Sequence, residues 1–336
     1  MNSKEKSAKI AESNIISEFE KEIYGTMPPR PEHLSVEVVG EDRGFAAGRG
    51  THRVLSFTAH FGKERFSFTV NEVLPNTENP LPVFLHIDNS PCVPSKFTPH
   101  EELCDEGFCV FSFSAYDISG NDANFRSGLT KHFGARRSYS APGKLTAWAW
   151  AAMRVMDYIE TLDYVDKERV AVIGNENLGK AALLAGVYDT RFTHVLLNCS
   201  GLLGASLTKG NTGKPLLALV EEEGYLFNPG FVKRMQKRGY TSTLDQDALL
   251  SLIAPRYLVI GSASGDYNGD LQSDFSSAVL ASAAYEKLGY RGLVHNGIAP
   301  KANELLDGGR IIHYARDGIA YLSRHDWRVY MEILKR

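Results

Sequence analysis

Cysteine is scarce in this chain of 336 residues. The four present, Cys92, Cys104, Cys109 and Cys199, show neither CxxC spacing nor the density of a disulfide scaffold, so free buried thiols are expected. Long apolar runs are missing as well. Nothing approaches the ~20 residues of a membrane span, and the charged start lacks the apolar stretch of a signal peptide, so a cytoplasmic protein is expected. An excess of one charge is also absent: 37 Lys plus Arg stand against 40 Asp plus Glu, with no basic run. That excludes the electrostatic footprint of a nucleic-acid or anionic-membrane partner. His86, His132, His194, His295 and His313 are scattered without HxH or HExxH spacing, so neither a metal nor a cofactor is expected.

What is present is ordinary globular material, 43% hydrophobic and 23% charged, enough for one large core. Residues 1–27 read as an N-terminal helical segment packing on the domain, with Ile15, Phe19 and Ile23 on one face. Residues 28–336 read as a single domain. Alternation from 34 to about 74, as in Phe66-Ser67-Phe68-Thr69-Val70, predicts antiparallel strands at the entry edge of a sheet, and the glycines of 44–50 a hairpin turn. Beyond Pro80 the pattern changes to short apolar runs, Val83-Phe84-Leu85, Phe108-Cys109-Val110-Phe111, Val170-Ala171-Val172-Ile173, His194-Val195-Leu196-Leu197 and Tyr257-Leu258-Val259-Ile260. Such runs are expected of strands buried on both faces. Helical spacing over 146–162, about 178–187, 273–288 and 325–334 alternates with them, which predicts a doubly wound, mostly parallel α/β sheet. The long excursion 208–244 is expected to act as a lid or cleft wall.

Open α/β sheets bind ligands outside the carboxyl ends of their strands. The sharpest such place is Ile173-Gly174-Asn175-Glu176-Asn177-Leu178-Gly179-Lys180, a strand, a glycine-flanked turn and an immediate helix. These are the mechanical parts of a nucleophile elbow. The residue at its apex is Glu176.

With the elbow in place, four further stretches fall in order: Ala147-Trp148-Ala149-Trp150, Asn198-Cys199-Ser200-Gly201, Leu252-Ile253-Ala254-Pro255-Arg256, and Arg316-Asp317-Gly318-Ile319-Ala320 followed by Asp326-Trp327. Together they resemble the glucuronoyl-esterase and acetylxylan-esterase-like branch of the α/β hydrolases, carbohydrate esterase family 15, from about residue 24 to the end. The resemblance implies an α/β-hydrolase fold and a carbohydrate ester as substrate. It also implies a serine at 176, an oxyanion-holding arginine at 177 and a histidine at 320, where this chain has Glu176, Asn177 and Ala320. The acid position falls on Asp266 or Asp270, and a family D-Q-H stretch reads Asp245-Gln246-Asp247.

Serine-esterase chemistry is therefore not expected, and a fold retained for binding a small carbohydrate or uronate-like ligand, or an unidentified protein, is. The alternative is a rearranged hydrolase using Glu176, since carboxylates can act as nucleophiles. Asn175, Asn177, Lys180, Cys199, Asp247 and Asp270 are expected around the cleft. The Glu176 carboxylate is expected to accept the N–H groups of its own helix N-terminus. Ser200 reads as a turn residue. His325 reads as an outward residue in the first turn of the last helix, because 323–326 has the form S-x-x-D.

Overall fold

Apolar runs buried on both faces have to sit in the middle of a sheet, and they do so in the structure, a computed structural model that describes residues 12–77, 79–90, 92–133, 136–237 and 244–336. Strands β1 (His33–Asp42), β2 (Gly50–Phe61) and β3 (Glu64–Pro75) form an antiparallel edge. Next come β4 (Leu81–Asp88), β5 (Cys109–Ser114), β6 (Val165–Asn175), β7 (His194–Asn198), β8 (Tyr257–Ala263), β9 (Leu305–Leu306) and β10 (Ile311–Arg316). The sheet order is β1-β2-β3-β5-β4-β6-β7-β8-β10-β9, and the six strands from β5 to β10 in that order are mutually parallel. This is the doubly wound α/β-hydrolase layout with antiparallel N-terminal edge strands.

Side chains alternate between the two faces of each strand. Val83, Leu85, Ile87, Val172, Val195, Leu197, Leu258 and Ile260 therefore enter one core, while Phe84, Ala171, Ile173, Leu196, Val259 and Ile312 enter another. The first core also contains apolar residues of α1 (Lys144–Ile159), α2 (Asn177–Tyr188) and α6 (Leu271–Lys287). The second is covered by the last helix, α7 (Arg324–Leu334), through Trp327, Tyr330 and Met331. Within the excursion lie α3 (Leu216–Glu223) and α4 (Pro229–Met235), and α5 (Gln246–Ser251) follows it; 238–243 lie outside the described residues.

Helix also covers 12–24, where Phe19, Ile23 and Tyr24 are buried and the Tyr24 hydroxyl donates to the Leu203 carbonyl at 2.9 Å; the remainder of the expected helical segment, 1–11, is outside the described residues. Residues 43–49 connect β1 to β2 as a hairpin loop. One expectation needs correction: Cys104, Cys109 and Cys199 are buried free thiols, but Cys92 is exposed, because it follows β4 in a surface loop rather than ending in a strand. Among the described residues no helix is long and apolar enough to cross a membrane.

The turn from β6 into α2 allows no side chain at its first glycine. A Cβ on Gly174 would meet the Leu178 carbonyl oxygen at 2.2 Å, and one on Gly179 would meet Ser200 Cβ at 2.9 Å. Both glycines let the helix start directly above the strand end. Because the obstacle at 174 is backbone, Gly174→Ala is expected to cost about 3 kcal/mol, the upper part of the overpacking range. Urea unfolding checks this, and an unchanged midpoint would show that the turn can relax.

Candidate functional site

The chain leaves β4 toward β5 on one side and later places β6 on the other side of β4. This reversal opens a crevice at the strand ends. A cleft of about 230 Å³ lies there, and five successive strand ends supply its lining. Asn89 follows β4, Tyr116 follows β5, Asn175 and Glu176 end β6, Cys199 follows β7 and Asp266 follows β8. Lys214, Leu219 and Glu223 reach in from the excursion.

At the apex Glu176 has φ 51° and ψ −119°. A non-glycine residue there carries strain of about 1–3 kcal/mol, held in place by its surroundings. The holding contacts are backbone: Glu176 N–H donates to the Asn198 carbonyl at 2.9 Å, and Lys180 N–H to the Glu176 carbonyl at 3.2 Å. The expected self-capping does not occur. The Glu176 carboxylate accepts no helix N–H; it stands exposed to the cleft and accepts a hydrogen bond from Asn175 Nδ2 at 3.4 Å. The elbow conformation throws the side chain outward, away from its own helix N-terminus. Desolvation by the cleft walls raises its pKa, Lys180 opposes that, and Asp266 and Glu223 add to it.

Asn177 spans the cleft floor. Its Nδ2 donates to Glu223 Oε1 at 2.9 Å, and its Oδ1 accepts from Lys180 Nζ at 2.9 Å. Both ends of the amide are therefore engaged. Lys180 is buried, and desolvation lowers its pKa to about 8 despite the nearby carboxylates of Glu223, Glu176 and Asp266.

The buried Asn198 joins the elbow to the loop bearing Ala320. Its Nδ2 donates to Asn175 Oδ1 at 2.7 Å and to the Tyr321 carbonyl at 3.1 Å, while its Oδ1 accepts from the Tyr330 hydroxyl at 2.8 Å. Arg316 completes the loop's support. Its Nε lies 2.9 and 3.0 Å from the two Asp326 oxygens, and its other nitrogens donate to the carbonyls of Asp317, Ile319 and Tyr321. Burial pulls the Arg316 pKa down, but Asp326 outweighs it and the net direction is up. Gly318, at φ 97°, makes the turn. Ala320 lies in this supported loop but does not itself line the cleft.

Of the two acid candidates, Asp266 lines the cleft. Asp270 does not: it caps α6, accepting from Ser273 N at 3.1 Å and from Thr212 N at 2.7 Å. Asp247 lies in the first turn of α5 and is not among the cleft-lining residues, because Asp245 caps that helix and fixes its direction. Cys199 lines the floor at φ 45°, its thiol pKa raised by burial. Ser200 Oγ accepts from Ala205 N at 3.0 Å, a turn role as expected, and His325 is exposed in the first turn of α7, within the Ser323–Asp326 capping box. Trp148, Tyr116, Asn121, Asn89 and Glu223 were not anticipated in the cleft. Among the described residues no group of three or more His, Cys, Asp or Glu could hold a metal ion.

A strained apex on a strand–turn–helix, set at the switch point of a doubly wound sheet, defines an α/β hydrolase of the esterase type. Residues 57–289 match the family model described as glucuronyl esterase, fungi. Carbohydrate esterase MZ0003 of an unknown prokaryotic organism is 32% identical over 237 residues, covering 69% of this chain and 54% of that protein. A 4-O-methyl-glucuronoyl methylesterase of Podospora anserina is 25% identical over 292 residues, covering 82% and 55%. The chain thus spans about half the length of these curated relatives. A solved glucuronoyl esterase from Solibacter usitatus superposes with a TM-score of 0.88 at 26% identity, covering 96% of this chain and 91% of that one. One from Teredinibacter turnerae T7901 also reaches 0.88, at 23% identity over 98% and 84%, which bears on the fold alone. The chain belongs to the glucuronoyl esterase family.

The depressed Lys180 pKa has a stability consequence. The unfolded lysine titrates near 10.5 and the folded one near 8, so between these values the unfolded state binds more protons. The penalty is complete below about pH 8 and is lost as pH rises to about 10.5. Lys144, also lowered to about 8 by burial, acts in the same sense. Relative to Lys180→Met, the unfolding free energy of the unmodified chain in urea should therefore gain on the order of 3 kcal/mol over this window. An identical pH slope in the variant would contradict a buried charged Lys180.

Proposed function

We propose that this member of the carbohydrate-esterase family lacks serine-esterase turnover and that its cleft is retained to bind a small polar ligand. The observation that carries the reading is the elbow itself, with an exposed carboxylate at its apex and the Asn177 amide committed at both ends to Glu223 and Lys180. A serine triad that loses nucleophile or base alone falls by about six orders of magnitude in turnover, leaving about 10³–10⁴ over water. At the positions that the resemblance assigns to nucleophile and base, this chain has Glu176 and Ala320. The relatives' names, carbohydrate esterase and glucuronoyl methylesterase, support a carbohydrate-related ligand.

A second reading has its own support. Glu176 is open to the cleft with a raised pKa and shares that cleft with Asp266, so two carboxylates are available for acid–base or nucleophilic work on an ester. Purified protein assayed with acetyl, methyl-uronate and aryl esters decides between them. The first reading expects rates at background, unchanged in Glu176→Gln. Turnover that Glu176→Gln abolishes would overturn it in favour of the second.

A further inference from the structure

The charge of the cleft points to a particular ligand class. Three carboxylates line it, Glu176, Glu223 and Asp266, against two lysines, Lys180 and Lys214. Lys214 is already ion-paired with Glu222 outside the lining, and Lys180 is buried beneath the carboxylates with its ammonium on Asn177. The accessible face is therefore anionic. An incoming carboxylate would meet Glu176 in a confined space where like charges are poorly screened.

Among the described residues the acidic side chains do not form a group of three that could hold one metal ion. A cation suited to the cleft is one carried on a larger frame that also contacts the polar walls. Of the five asparagines that line those walls, Asn175 and Asn177 are held by Asn198, Glu223 and Lys180, which leaves Asn89, Asn121 and Asn268 to offer amide groups to hydroxyls. Tyr116, 43% exposed, also lines the cleft, and aromatic rings attract cations.

We infer that the cleft binds a polyhydroxylated amine, an amino sugar with a free ammonium group, and rejects uronates. The inference rests on the small-ligand reading of the same cleft. The ammonium faces Glu176 and Asp266, and the hydroxyl groups face Asn89, Asn121 and Asn268. Glu176 sets the selectivity, because it places a carboxylate at the elbow apex.

Calorimetric titration of the intact chain with glucosamine, glucose and glucuronate at neutral pH tests this. Glucosamine should bind about tenfold more tightly than glucose, the equivalent of one favourable charge contact, and glucuronate more weakly than both. Glu176→Gln, whose side chain is exposed and leaves the fold's contacts in place, should weaken glucosamine by about tenfold and strengthen glucuronate. Asp266→Asn should shift both sugars in the same directions. Glucuronate binding as tightly as glucosamine would overturn the inference and leave small-ligand binding intact. No binding by any of the three, or ester turnover dependent on Glu176, would overturn both.

Discussion

The side-chain amide of Asn198 is the contact on which the site's geometry depends. It is fully buried at the end of β7, and from there it reaches the elbow through Asn175, the 317–321 loop through the Tyr321 carbonyl, and the last helix through the Tyr330 hydroxyl. Its backbone carbonyl also accepts the Glu176 N–H. In a dry interior such an amide is costly to leave unpaired, so its satisfied bonds fix the relative positions of three chain segments remote in sequence. Neighbouring constraints act in the same direction. Gly174 and Gly179 allow α2 to start against β6 and Ser200, and the Arg316–Asp326 pair holds the loop after β10.

This framework and the chemistry it presents are physically separable. The framework is built of backbone bonds, glycines and buried polar pairs, none of which requires a particular side chain at 176 or 320. A glutamate can occupy the strained apex because the turn is determined by what surrounds it. Once there, the carboxylate is coupled to its charged neighbours. Asp266 and Glu223 raise its pKa, and all three carboxylates support the charge of the buried Lys180 against desolvation.

Much of the fold was legible in the sequence because parallel strands buried on both faces leave short continuous apolar runs, and glycines at fixed offsets mark the elbow. The alternation within those runs also matches the division of the core, with Phe84 on one face of β4 and Val83 and Leu85 on the other. The site was legible where a motif lies directly at a strand end, as with Glu176, Lys180, Cys199 and Asp266. It was not legible where residues enter from a distance. Glu223 reads as one of three consecutive acidic residues, and only the fold of the excursion shows which of them faces Asn177. Asp270 and Asp247 were misplaced because helix-capping carboxylates and cleft carboxylates look alike in sequence. The orientation of the Glu176 side chain depended on the backbone angles at the apex, which residue types alone do not determine.

The proposal that the family framework persists without an activated serine is tested most directly by intact-mass analysis after treatment with a fluorophosphonate, which phosphonylates serines activated in such elbows. The account predicts no adduct on the unmodified chain and a single adduct at residue 176 once Glu176→Ser and Ala320→His are combined. An adduct on a serine of the unmodified chain, Ser200 foremost, or none on the double variant although it folds, would contradict it.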